Sequence, residues 1–299
     1  MRRRTVALGL ATLALVAGCG SSGGEASSSA PPARSPSASA SDSRAVDPVQ
    51  AKGVEHIHNL SLLEDGTLLV GTHEGLWRQG APGEDLESVG EPFDVMGFAL
   101  AGDTWLASGH PEEGAAGPAD LGLLRSADQG RSWDVVALLG QVDFHRLVQS
   151  KNTILGANSG DGLLWRSTDN GESWKTLGTA PFDIALDPAD PRRVVGTTAE
   201  GLVVSEDGGK RWDRKPAPGR PIALLAWSGE TLYGVDVSGA VQRSLDAGGS
   251  WEALGDVKGA PEALAATGDT VAVLADGTVW VSRDAGQVFE ATIDGIPQH

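Results

Sequence analysis

Five copies of the pattern Ser-x-Asp-x-Gly-x-x-Trp/Phe recur along this chain. They stand at Ser126/Asp128/Gly130/Trp133, Ser167/Asp169/Gly171/Trp174, Ser205/Asp207/Gly209/Trp212, Ser244/Asp246/Gly248/Trp251 and Ser282/Asp284/Gly286/Phe289. Their serines are 41, 38, 39 and 38 residues apart. Each copy combines a turn signal with an aromatic residue, so the period marks a repeated supersecondary unit. A unit of that length holds one small sheet, which cannot bury both of its apolar faces alone. Such sheets must pack against one another.

Aligned on the turn, every unit reads as four strands. A first apolar strand ends at a Gly/Asp/Glu turn, as in the stretch from Phe98 to Thr104. A second strand follows, for example Thr153 to Gly156, and a loop leads to a third such as Gly162 to Ser167. The Ser-x-Asp-x-Gly turn then opens a fourth strand at the aromatic. Alternation and turn residues support strands throughout, and no segment shows helical periodicity. A sixth unit, Leu60 to Arg78, precedes the five, with Gln79 to Asp85 in place of the repeated turn. The predicted fold is all-β: a six-bladed β-propeller over residues 53–299.

The five turns resemble the Asp-box, or BNR, repeat of a family that includes sialidases, sortilin-type receptors and photosystem-assembly propellers. The resemblance covers about residues 54–299 and implies a structural role for Asp128, Asp169, Asp207, Asp246 and Asp284. Ser and Asp side chains hydrogen-bond within such a turn, and Gly permits positive φ. The missing distal Glu excludes an EF-hand reading.

The N-terminal segment predicts export. Arg2, Arg3 and Arg4 precede an apolar run from Val6 to Ala17 that is short for a membrane span. It ends in Val16-Ala17-Gly18-Cys19, which resembles the lipobox of bacterial lipoproteins. That resemblance implies a signal peptide over 1–18 and acylation of Cys19, with the protein lipid-anchored on the outer face of the cell membrane. Residues 19–52 are rich in Ser, Ala, Pro and Gly and are expected to form a disordered tether. Cys19 is the only cysteine, which rules out an intramolecular disulfide. The net charge of −17 becomes −20 once the three arginines are removed, which argues against nucleic acid as a partner. A monomer is expected.

Departures from the repeat mark the candidate site. In a propeller the start of each first strand and each second-to-third loop share one face, the mouth of the central channel. Two residues before the first apolar residue of the inner strand, the six units carry His58, Met96, His145, Phe182, Ala223 and Glu262. The second-to-third loops add His73 and Glu74 in the first unit and His110 and Glu112 in the second. His56 precedes His58 by two positions, the side-chain period of a strand. Imidazoles with a thioether suit a soft or borderline metal, copper above zinc. Asp143, Glu74, Asp94 and Glu112 are candidates to orient the imidazoles from a second layer. A polar channel of histidines bonded to carboxylates and water is the alternative without a metal.

Three functions are therefore open: an anchored module binding a small ligand or metal, a glycoside hydrolase, or a docking scaffold for assembly of a membrane protein. The sialidase resemblance implies an arginine cluster, a nucleophilic Tyr with a Glu partner, and an Asp acid. The only tyrosine, Tyr233, falls inside a second strand, where packing is its expected role. Arg78, Arg125, Arg166 and Arg243 fall on third strands, away from the mouth. A two-carboxylate glycosidase would draw on Asp94, Asp143, Asp183 and Glu262. No catalytic residue is assigned.

Overall fold

A computed structural model of the chain describes residues 47–215 and 219–297. The expected signal peptide, Cys19 and the tether as far as residue 46 lie outside the described residues. Six sheets follow one another in chain order, antiparallel apart from one edge strand of the sixth, and the described residues contain no helix. The inner strands are Ile57–Leu62, Asp94–Ala101, Phe144–Ser150, Asp183–Leu186, Ile222–Ser228 and Pro261–Thr267. The chain is a six-bladed β-propeller, as the repeat predicts.

Strand alternation sends neighbouring side chains to opposite faces of a blade, and both faces are covered. Leu68 and Val70 of the first blade pack toward the sixth, whereas Leu69 between them packs toward the second. Ile154 and Leu155 divide in the same way between the second and fourth blades. Among the described residues, six buried apolar clusters result, one at each seam between blades. The turn aromatics complete them: Trp133 meets Phe93 edge-on with ring centroids 5.7 Å apart, and Trp174 lies 5.2 Å from Phe144. Each fully buried Leu or Ile contributes about 1.5–3 kcal/mol.

The ring closes at the sixth blade. Val49–Gln50 adds parallel to the outer strand Glu290–Asp294, with Val49 opposite Ile293 and Gln50 opposite Asp294. Ala51 N–H donates to the Asp294 carbonyl at 2.9 Å, and Val54 and Ile57 then enter the cluster that seals the sixth blade to the first. Composition places Val49 and Gln50 in the tether, but the pairing makes them part of the propeller. The first blade is complete despite lacking the repeated turn. Gln79 stands where other blades have Ser, and its amide donates to the Glu84 carbonyl at 2.9 Å.

All five Ser-x-Asp-x-Gly turns are wired alike. The Ser hydroxyl donates to the Asp Oδ1 (2.6–3.0 Å) and accepts the Gly N–H (2.8–2.9 Å). The same Oδ1 accepts the N–H four residues beyond the Asp at 2.7–2.9 Å. Gly171 shows why the glycine is needed: its φ is +91°, and a Cβ there would lie 2.5 Å from Leu123 Cδ2 of the neighbouring blade.

Hydrogen bonds from Ser132, Ser173 and Ser250 hold the carboxyls of Asp128, Asp169 and Asp246 down to about 2. A carboxyl with a depressed folded pKa adds stability that is present above its unfolded pKa and lost as pH falls through the folded value. Stability is therefore expected to drop between about pH 4 and about pH 2. Urea unfolding across this range should show a shallower acid limb for Asp169→Asn than for the parent chain. An identical limb would remove these turns as the cause.

Candidate functional site

Five of the six inner strands carry a register shift at one residue near the channel mouth. The displaced residues are His58, Met96, His145, Ala223 and Glu262. A bulge inserts one unpaired residue and re-aims its side chain, so these positions are set apart from ordinary strand residues. The fourth blade pairs Asp183–Leu186 without a shift, and Phe182 just ahead of it is 69% exposed. His58 and His145 both line a channel cavity of about 240 Å³ that runs along the inner strands.

At the seam between the first and second blades, three potential ligand residues converge. His58 Nε2 lies 3.3 Å from His73 Nδ1 and 3.2 Å from Asp94 Oδ1, and His73 Nδ1 lies 3.1 Å from Asp94 Oδ2. His56 completes a group of three imidazoles, with ring centroids 4.6 Å from His58 and 5.4 Å from His73. Burial of Asp94 opposes its ionisation, but the imidazoles of His58 and His73 outweigh it and hold the carboxyl below the ordinary range. Asp94 Oδ1 is buried and receives no aligned hydrogen bond among the described residues.

Asn59 fixes this seam from below. Its amide donates to the carbonyls of Val95 at 3.1 Å and Met96 at 3.3 Å, tying the first inner strand to the bulge of the second.

A second group forms at the next seam. Asp143 Oδ2 lies 2.6 Å from His145 Nε2 and 3.5 Å from His110 Nε2, and it accepts the Ser159 hydroxyl at 2.6 Å. His110 Nδ1 lies 3.0 Å from the Ala119 carbonyl and 3.5 Å from Asp120 Oδ1. Burial again opposes ionisation of Asp143, and His145, Ser159 and His110 together hold its carboxyl low.

The sequence-predicted residues thus gather in two groups at neighbouring seams, with Asp94 and Asp143 touching the imidazoles directly. Glu74 accepts the Glu55 N–H at 3.3 Å, and Glu112 is exposed in its loop. Met96 is half-buried at its bulge. Asp120 and Ser159 were not singled out from the sequence. Ser159 could have been found, because it directly follows the strand that pairs with the start of the third inner strand; Asp120 has no counterpart in other blades.

Further round the ring, Asp183 joins three blades. Its Oδ1 accepts from Arg146 Nε at 2.9 Å and its Oδ2 accepts the Leu225 N–H at 2.7 Å. Burial pushes this carboxyl up, with Arg146 and the Leu225 N–H opposing. Tyr233 is buried between the fifth and sixth blades, which raises the pKa of its hydroxyl and keeps it from the mouth.

No known family model matches the chain, and no curated protein matches it. Solved structures do. The nidogen/laminin complex contains a chain with a TM-score of 0.61 at 13% identity, covering 77% of this chain and 93% of that one. YCF48 bound to a D1 peptide gives 0.53 at 17% identity, over 84% of this chain and 85% of that one. The GH74 xyloglucanase from Xanthomonas campestris gives 0.51 at 19% identity, over 83% of this chain but 46% of that one. At these identities the likeness shows the propeller fold alone.

Proposed function

We propose that this propeller is a metal-binding module, held at the outer face of a membrane through Cys19, whose ion sits between its first two blades. The ligands are His58 Nε2, His73 Nδ1 and Asp94, with His56 beside them to supply a fourth donor. One observation carries this reading: His58 Nε2 lies 3.3 Å from His73 Nδ1, and one ligand atom from each of His58, His73 and Asp94 lies within 4.8 Å of the other two. Bonds of 2.0–2.1 Å in a tetrahedral site place ligand atoms about 3.3 Å from one another.

Imidazole with carboxylate suits Cu(II) and Zn(II), and Cu(II) binds a given set of this kind more tightly. Equilibrium dialysis of the protein against each ion tests the reading. His73→Ala and Asp94→Asn are each expected to weaken binding by more than about tenfold, since even the groups that only orient a ligand are worth about 10- to 100-fold. Binding unchanged in both variants would overturn the site.

The alternatives have less behind them. In a glycosidase one carboxyl must stay protonated to act as acid, yet Asp94 and Asp143 are both held low by imidazoles, and Asp183, which burial pushes up, is 6% exposed with its oxygens taken by Arg146 and the Leu225 N–H. A docking role draws support from Phe182 and Val237, which are 69% and 56% exposed on the mouth face, and from YCF48, a neighbour bound to a peptide. The convergent donors give the metal reading its advantage.

A further inference from the structure

We infer that the outer edge of the third blade, where it meets the fourth, is an oxyanion site in which Arg166, Lys175 and Lys210 hold a phosphate group. The site shares no residue with the channel mouth and stands whether or not a metal binds there.

One blade departs from the charge pattern of the others. The residue just before the turn, at the end of each third strand, faces a fixed position on the fourth strand. In five blades that position is acidic: Arg78 faces Glu87, Arg125 faces Asp134, Val204 faces Asp213, Arg243 faces Glu252 and Val281 faces Glu290. In the third blade Arg166 faces Lys175. Opposite charges at facing strand positions stabilise a sheet, and like charges destabilise it. Arg243 has Glu252 at 2.9 Å, whereas Arg166 meets a second cation. An anion from outside the chain would supply the negative charge that the other blades carry themselves.

Arg166 is placed to receive one. Its Nε is buried and donates to nothing among the described residues, and a buried donor left unpaired is costly. The guanidinium lies against the turn of the fourth blade, where a Cβ on Gly208 would be 2.9 Å from both Nε and Nη2. That turn brings in Lys210. Arg166, Lys175 and Lys210 line a pocket of about 110 Å³ together with Thr168, Ser173 and Leu177. The acids of the two adjoining turns are engaged elsewhere. Asp169 accepts from Ser167 and Ser173, Asp207 accepts from Ser205 and the Arg211 N–H, and Glu206 lies 3.5 Å from Arg193.

Size and donors define the ligand class. Sites for drug-sized ligands measure about 300–1,000 Å³, so this pocket takes one chemical group rather than a whole nucleotide or sugar. A guanidinium fork and two ammonium groups match the several oxygens of a phosphate, and the Thr168 hydroxyl adds a neutral donor. Free phosphate and a lipid headgroup present the same oxygens. The net charge of −17 repels an anionic lipid surface, which favours the free ion.

Calorimetric titration with inorganic phosphate at low ionic strength tests the site, after dialysis against a chelator so that no metal holds the anion. The protein should bind one phosphate. Lys175→Glu gives the third blade the acid of the other five and should weaken binding by more than about tenfold, the least that one hydrogen bond to a charged group is worth. Lys175 is exposed, so this variant should fold. Arg243→Gln, at the matching position of the fifth blade, should bind phosphate as the parent does. Phosphate should also raise the urea midpoint of the parent and leave that of Lys175→Glu unmoved. Glycerophosphoglycerol, a soluble headgroup, distinguishes the sources: weaker binding than phosphate assigns the site to the free ion, and tighter binding assigns it to a lipid. No binding of either titrant, or equal binding by the parent and Lys175→Glu, would overturn the site. An equal loss in Arg243→Gln would reveal a response to net charge alone and overturn it as well.

Discussion

Gly109→Ala should destabilise the protein by about 3 kcal/mol or more, at or above the usual cost of overpacking, and should weaken metal binding with it. Gly109 faces Val95 across the second blade, one position before the bulge at Met96. A Cβ at Gly109 would lie 1.8 Å from the Asp94 carbonyl oxygen and 3.0 Å from the Met96 nitrogen. Both are backbone atoms, so no side-chain rotation relieves the clash. The strand carrying Asp94 must move, and Asp94 is one of the proposed ligands. A suitable control is Gly114→Ala, at φ +82° with nothing within 4 Å. That variant isolates backbone strain, on the order of 1–2 kcal/mol. Urea midpoints and bound metal for the two variants give the comparison. A loss at Gly109 no greater than that at Gly114 would mean the close approach is not what shapes the mouth.

The architecture was readable because its signals are local. A Ser-x-Asp-x-Gly turn closes its own hydrogen bonds within a few residues, so it looks the same wherever it occurs. Ring closure was not readable. Val49–Gln50 is a two-residue strand whose partner, Glu290–Asp294, lies at the far end of the chain, and nothing in its composition separates it from the tether. The fourth strand of the first blade was hidden for another reason: Gln79 replaces the expected Ser and makes its own bond to Glu84.

The candidate site was half visible. Aligning repeats brought His58, Met96, His145, Ala223 and Glu262 to one position, and that position is the bulge. What alignment within a blade cannot supply is contact between blades. Whether His73 meets Asp94, and His110 meets Asp143, depends on how one sheet is rotated against the next. One cluster around the axis and two clusters at adjacent seams therefore look identical in sequence.

The same limit concealed the bonding of Asp183, which the sequence offers only as a mouth carboxyl; Asp183→Ala is expected to cost about 3–5 kcal/mol. Its carboxylate is buried and spans three blades, taking Arg146 from the third and the Leu225 N–H from the fifth. Removing it strands the Arg146 guanidinium, which is 31% exposed, and orphans a buried N–H. An unsatisfied buried donor alone costs about 1–3 kcal/mol. Asp183→Asn keeps an acceptor for Leu225 and should lose less. Because a buried ion pair must offset the desolvation of both partners, replacing the pair together is milder than breaking it. The double variant Arg146→Leu/Asp183→Leu should thus be more stable than Asp183→Ala. Urea titration of the three variants orders them: double variant and Asn above Ala. A loss below about 1 kcal/mol for Asp183→Ala, within the range of exposed ion pairs, would show that this contact does not clamp the wheel.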